Sequence, residues 1–363
     1  MQVLNKKSFH KKQIINKYFV LLLIILLGYI PSVKSQNCQP VKNLVLIYYG
    51  GIQRDTFKWD TQKLMHYIAY TNKSGETNYL FDSFLFLEFK DGRGYQYAPG
   101  YDHLNARKSE WKWLINRYLG KRGILDSLNL AIKKVRAKTQ TKFFKRNIII
   151  GIPTPINNQK DWGTLQNKEL DFTNNSDREK AIEWYIDAIQ KLFKQKKYKN
   201  FVLNGFYWID EDNRSSLSIL PKTAQYIHHK KLKFYWIPYW SAAGAKNWKE
   251  LGFDMAWQQP NYYFQPKVDQ ERLEAACSFA KKNQMGVEVE FDNRIMSKNN
   301  EDYRNRLINY LRVIRKNKLS PKYMSVAFYQ GNDGFYQLIT SKDMKDQELV
   351  KLLIHFLIGS HYH

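Results

Sequence analysis

Two clusters of carboxylates interrupt an otherwise basic chain. The first lies in GFYWIDED (205–212), where residues 206–209 read as the end of a buried strand and Asp210, Glu211 and Asp212 follow at once. The second lies in MGVEVEFD (285–292), where Val287, Val289 and Phe291 alternate with Glu288, Glu290 and Asp292. A period of two puts the apolar residues on one face of a strand and the acids on the other. Acidic residues are poor strand formers, and a carboxylate turned into a core is costly unless paired or hydrated. Acids gathered at two strand ends therefore point to chemistry. Glycoside hydrolysis is the reaction that needs two carboxyl groups across a sugar bond. One protonates the leaving oxygen; the other attacks the anomeric carbon or activates water.

The surroundings fit a sugar. Tyr48, Tyr49, Trp208, Trp236, Tyr239, Trp240, Trp257, Tyr262, Tyr263 and Tyr329 all fall near strand ends, and Gln258, Gln259 and Asn261 offer amides for hydroxyl groups. Trp208 and Trp257 read as core, whereas Tyr239 and Trp240 close a strand on the rim. Glu88 ends another strand, and Tyr329 is placed to donate a hydrogen bond to a catalytic carboxylate. The predicted substrate-binding set is Glu88, Asp210, Tyr239, Trp240, Gln259, Asn261, Asp292 and Tyr329. His66, His103, His228 and His229 lack metal-ligand spacing with a matching acid, so no metal is predicted and no cofactor is required.

Eight short runs, β-branched or aromatic and closed by Gly, Pro, Asn or Asp, must hold these residues: 44–50, 83–89, 147–153, 202–208, 233–240, 253–262, 285–292 and 325–331. That is strand chemistry. Segments with helical spacing lie between most of them, at 110–138, 181–193, 220–231, 246–251, 271–283, 301–317 and 347–359. Ser176 and Glu179 have the spacing of a capping box. Eight strands alternating with helices predict a single-domain (β/α)8 barrel, a TIM barrel, over residues 36–363. Chemistry in such a barrel collects at the carboxyl ends of the strands, where strands four and seven deliver their acids. The long loops after strands two and three lie on the same face. No glycine-rich turn follows the first strand to bind a nucleotide. Asn204 and Gly205 fall inside the fourth strand, where a glycine marks close backbone approach.

The chain has 363 residues, 44% of them hydrophobic, enough for one large domain. Its start stands apart. Lys6, Lys7, Lys11, Lys12 and Lys17 precede an almost wholly apolar run at 19–30, which ends at small residues near Ser35. This predicts a secretory signal peptide over residues 1–35, with membrane contact only during export and a mature protein that is secreted, periplasmic or on the cell surface. Removing that segment, with its six lysines and no acid, lowers the formal charge from +25 to +19. Such a balance suits an acidic partner, but compositional bias explains scattered lysines as well. No zinc-finger spacing, arginine-rich arm or aromatic ribonucleoprotein motif supports nucleic acid as a partner. Only Cys38 and Cys277 remain after cleavage, too few for a disulfide framework.

GFYWIDED, FYWIPYW, GFDMAWQQPNYYF and GVEVEFD, with LFDSFLFLEF, IPTP and DREKAIEWYID, resemble the blocks of a family of secreted bacterial proteins, domain-of-unknown-function family forty-eight fifty-five. The resemblance spans nearly the whole mature chain. It implies a barrel related in plan to the large superfamily of retaining glycosidases, whose acid/base follows strand four and whose nucleophile follows strand seven. By that position Glu211 resembles the acid/base and Glu290 the nucleophile, with Glu288 next in line. The superfamily usually has Asn just before its acid/base; this chain has Asp210. The expected partner is a carbohydrate, neutral or anionic. Two other readings use the same features: a barrel that binds glycans without turnover, and a polysaccharide lyase acting on an anionic glycan.

Overall fold

In the computed structural model, residues 39–72, 74–139 and 145–360 are described. The expected leader, residues 1–35, and Cys38 lie outside them. Eight strands close into a barrel: β1 (Asn43–Tyr48), β2 (Ser83–Leu87), β3 (Arg146–Ile152), β4 (Phe201–Trp208), β5 (Lys233–Trp236), β6 (Met255–Gln258), β7 (Gly286–Glu290) and β8 (Val326–Tyr329). Each pairs in parallel with its sequence neighbours, and β1 pairs with β8 to complete the ring. Every predicted strand is present. Most are shorter than the apolar runs, because the last residues of each run turn outward into the loops that carry the site.

The helices between them are α1 (Thr61–Ile68), α2 (Lys108–Leu119), α3 (Ile124–Lys138), α4 (Asn175–Lys196), α5 (Leu220–His229), α6 (Gln270–Lys282), α7 (Glu301–Lys316), α8 (Gly334–Thr340) and α9 (Met344–Leu357). They cover the outside of the sheet, so β1, β2 and β3 are buried along their whole length. This is why those strands read as unbroken apolar runs rather than alternating ones. Two helices escaped the periodicity. α1 is only eight residues long and is started by Asp60, whose side chain accepts the Lys63 amide at 2.9 Å. α8 is seven residues long. The predicted capping box at Ser176 is displaced: α4 begins two residues earlier, at Asn175 behind an extended Asn174, so Ser176 lies inside the first turn. The segment around 246–251 is one 3-10 turn, Ala245–Asn247. Among the described residues no helix is long and apolar enough to cross a membrane.

A polar seam crosses the barrel from β2 to β5. Tyr235 donates to Asn204 Oδ1, Asn204 donates to Asn147 Oδ1 at 3.1 Å, and Asn147 donates to Ser83 Oγ at 3.1 Å. All four residues are buried, so each amide must find a partner. Asn204 can join because β4 carries a bulge: its register against β3 shifts between Leu203 and Gly205. Gly205 then runs hard against β5. A Cβ there would collide with the Lys233 carbonyl oxygen and sit 2.8 Å from the Tyr235 ring. Gly205→Ala should therefore destabilise the fold by about 1–3 kcal/mol through overpacking, read as a lower urea midpoint. An unchanged midpoint would mean that the β4 and β5 backbones part without cost.

Candidate active site at the carboxyl end of the barrel

Glu211 lies three residues beyond β4, between two aspartates with a different job. Asp210 Oδ1 accepts the Asp212 amide at 3.2 Å. Asp212 caps the turn Asn213–Ser215 through the Arg214 amide, and also takes the Tyr239 hydroxyl at 2.9 Å and the Ala243 amide at 3.2 Å. The loop is thus pinned on both sides of Glu211, whose carboxyl is left to face the cleft. β7 ends in the same way. Glu290 is its last residue, paired in register with Tyr329 of β8. Two residues later Asp292 caps the turn Asn293–Ile295 and grips Arg294 at 2.8 Å. The tripeptide Asp-Asn-Arg stands after both glutamates, at 212–214 and 292–294. It serves both times as the clamp of the loop.

The cleft has a volume of about 310 Å³ and is lined by Glu211, Glu290 and Glu88 with Gln259, Asn261 and Gln265. Tyr48, Phe89, Tyr101, Phe264 and Tyr329 form its aromatic wall, and Arg54 and Lys90 its basic side. Glu290 is buried and richly solvated by donors: the Tyr310 hydroxyl, the Tyr262 amide at 3.3 Å and the backbone around Asn261. Burial pushes its carboxyl up to about 7, and those donors hold it from rising further. Glu211 accepts the Tyr101 hydroxyl at 3.0 Å and the Gln259 amide at 3.4 Å. Desolvation in the cleft lifts it to about 7, and the charge on Glu290 pushes in the same direction. Both carboxyls thus sit at about 7 with donors that favour their charged forms, and a charged Glu290 favours the proton on Glu211.

Glu288 lies one pleat, roughly 6–7 Å, back along β7. It is buried, its Oε2 has no hydrogen-bond partner among the described residues, and it does not line the cleft. Burial raises it well above its ordinary value, and the charges of Glu290 and Glu211 add to that.

The family model described as Domain of unknown function (DUF4855) matches residues 43–355, from the first strand of the barrel into its last helix. The chain belongs to that family. No curated protein matches the sequence. Among solved structures, a candidate α-L-fucosidase from Bacteroides thetaiotaomicron is similar at 13% identity, with 91% of this chain and 98% of that one covered and a TM-score of 0.47. A tryptophan synthase α-subunit from Pyrococcus furiosus is similar at 9% identity, with 88% and 98% covered and a TM-score of 0.40. Neither likeness bears on the chemistry of the cleft.

In this DUF4855 barrel the predicted residues sort into three groups. Glu211, Glu290, Glu88, Gln259, Asn261 and Tyr329 meet at the cleft. Asp210, Tyr239 and Asp292 serve the loops behind it: Asp292 is held by Tyr263 and Arg294, and Asp210 is desolvated to about 7 beside Arg178. Trp240 contributes its backbone. Its amide donates to Asn261 Oδ1 at 2.7 Å, Asn261 donates to Gln259 Oε1 at 2.9 Å, and Gln259 reaches Glu211. Glu88 spends both oxygens on Arg54, at 3.0 and 3.1 Å, and holds that guanidinium 4.8 Å from the Tyr48 ring.

Two departures matter. The tyrosine on Glu290 is Tyr310, from α7, and not Tyr329, which packs edge-on against Tyr48 at 5.5 Å. Tyr310 sits in the apolar stripe of its helix, so it reads as core. The loop after β1 supplies Arg54, and the loop after β2 supplies Phe89, Lys90 and Tyr101, whereas the long loop after β3 adds nothing to the cleft lining. Trp208 and Trp257 are core, as expected, with Trp257 Nε1 donating to Ser325 Oγ at 3.0 Å.

The state of Glu288 is visible in stability. The folded protein binds its proton more tightly than the unfolded chain, whose value is near 4.5. The stability this confers is full below that value and is lost as pH rises toward the native one. Glu288→Gln has no proton to lose. Its melting temperature relative to wild type should climb as pH rises above 4.5; a flat difference would contradict a protonated Glu288.

Proposed function

We propose that this protein is a glycoside hydrolase in which Glu211 is the general acid/base and Glu290 the nucleophile. One observation carries the reading: two glutamates from different strands face one cleft, and the charge on Glu290 favours the proton on Glu211. A hydrolase of this kind needs one protonated and one charged carboxyl at the same pH. The aromatic wall supplies apolar surface for sugar rings, and Gln259 and Asn261 stand beside Glu211 as amide partners.

The substrate lies across the mouth of the barrel with its scissile oxygen toward Glu211. Proton transfer from Glu211 to that oxygen accompanies attack of Glu290 on the anomeric carbon. Water then takes the sugar from Glu290 as Glu211 withdraws its proton, with net retention of configuration. Glu288 stays protonated, so no second fixed negative charge lies behind the nucleophile. No cofactor enters these steps. The leader at 1–35 belongs to the same proposal: cleavage near Ser35 delivers the barrel to glycans outside the cytoplasm.

Reducing-end release from a panel of neutral and anionic polysaccharides tests this. Residues 36–363 should release reducing ends from at least one of them. Glu211→Gln should lower that rate by about 10²–10⁴-fold, the usual contribution of a positioned acid. Glu290→Gln should lower it at least as far. Silence from the wild type with glycan binding retained would favour a binding barrel, and an unsaturated product absorbing in the ultraviolet would mark a lyase.

A further inference from the structure

Tyr101 occupies an unusual position. It stands on the loop after β2, and its hydroxyl donates to Glu211 Oε2 at 3.0 Å. Its ring lies flat on Phe89, with centroids 4.2 Å apart and planes 4° from parallel. Phe89 is itself buried and packs against Tyr48 at 5.8 Å, so the pair is anchored to the barrel wall. Tyr101 remains 38% exposed and lines the cleft. Phe89 covers one face of the ring, and among the described residues no other ring packs on it. The loop is fixed from below. Gln96 Oε1 accepts the amides of Tyr101 and Asp102, at 3.0 and 3.2 Å, while Gln96 Nε2 donates to Asn105 at 2.9 Å.

Resting on the hydrolase reading, we propose that the Tyr101–Phe89 stack is the floor of the subsite that holds the leaving group. A sugar ring on the departing side of the scissile bond lies on the face of Tyr101 away from Phe89. The general acid stands on the leaving-group side of the bond, because its proton goes to the leaving oxygen. A ring whose hydroxyl touches that acid flanks the departing residue and not the one attacked by Glu290. Aromatic rings held rigid by a second ring supply apolar contact at little entropic cost. The ligand class follows: the departing group is a sugar with an apolar ring face, so the favoured substrates are chains of at least two residues. Small, ring-free leaving groups forgo the contact.

Glycosyl fluorides and the matching disaccharides separate the two claims. Fluoride leaves without a ring and with little need of a proton, so it reports attack by Glu290 alone. Tyr101→Ala should lower kcat/KM for the disaccharide roughly tenfold more than for the fluoride, the worth of one aromatic stack, mostly through KM. Tyr101→Phe keeps the stack and removes the bond to Glu211. It should hold the disaccharide KM near that of the wild type while moving the alkaline limb of its pH profile upward, since that bond favours the charged form of Glu211. If Tyr101→Ala loses equally on both probes, the subsite is wrong and the hydrolase stands. If Tyr101→Phe loses the disaccharide KM as fully as Tyr101→Ala does, the hydroxyl and not the ring binds, which also overturns the subsite. A wild type silent on every fluoride and disaccharide overturns the hydrolase and the subsite with it.

Discussion

Crowded carboxyl groups at the desolvated mouth of a barrel are the constraint on which the rest of the structure depends. Burial raises the cost of charge on Glu290, Glu288 and Glu211; Glu290 adds to it on Glu211, and both add to it on Glu288. Holding Glu290 near 7 instead of 4.5 alone costs its ionised form about 3 kcal/mol at neutral pH. That is a large share of the marginal stability of a domain. The sheet offsets it elsewhere, with strands buried along their length and a ring of covering helices.

The crowding also creates an order. Glu290 takes the Tyr310 hydroxyl, the Tyr262 amide and the backbone at Asn261, Glu211 takes the Tyr101 hydroxyl and the Gln259 amide, and Glu288 Oε2 has no partner among the described residues. Similar groups in unlike surroundings can divide their protons in this way, and the proposed chemistry rests on that division. Around them, other acids do structural work. Asp212 and Asp292 close their loops with the same tripeptide, so that the glutamates ahead of them are held on short, rigid tethers. The amide chain from Trp240 through Asn261 and Gln259 ends on Glu211 and couples the rim of β5 and β6 to the acid of β4.

Much of this was legible in the residues. All eight strands follow from short runs, because parallel strands buried on both sides are mostly apolar. The alternation of GVEVE places Glu288 and Glu290 on one face, and the strand ends place Glu211 at the rim. The roles of the neighbouring acids were harder to read. Asp210, Asp212 and Asp292 have the same charge as the glutamates, and only the capping geometry separates them; the repeated Asp-Asn-Arg was the available signal. Tyr310 was hidden because a tyrosine in an apolar helical stripe looks like any core residue, and its hydroxyl meets Glu290 only once α7 packs on β7. Arg54 and Tyr101 come from loops, where position depends on tertiary contacts and not on periodicity.

The most direct measurement is a pH titration by carbon NMR of protein labelled at the glutamate carboxyl carbons, with Gln variants to assign Glu211, Glu288 and Glu290. The account predicts that Glu290 ionises first, that Glu211 keeps its proton to about 7, and that Glu288 is the last to lose its own. A Glu211 carboxyl that titrates near 4.5, ahead of Glu290, would contradict the division of roles on which the proposed chemistry stands.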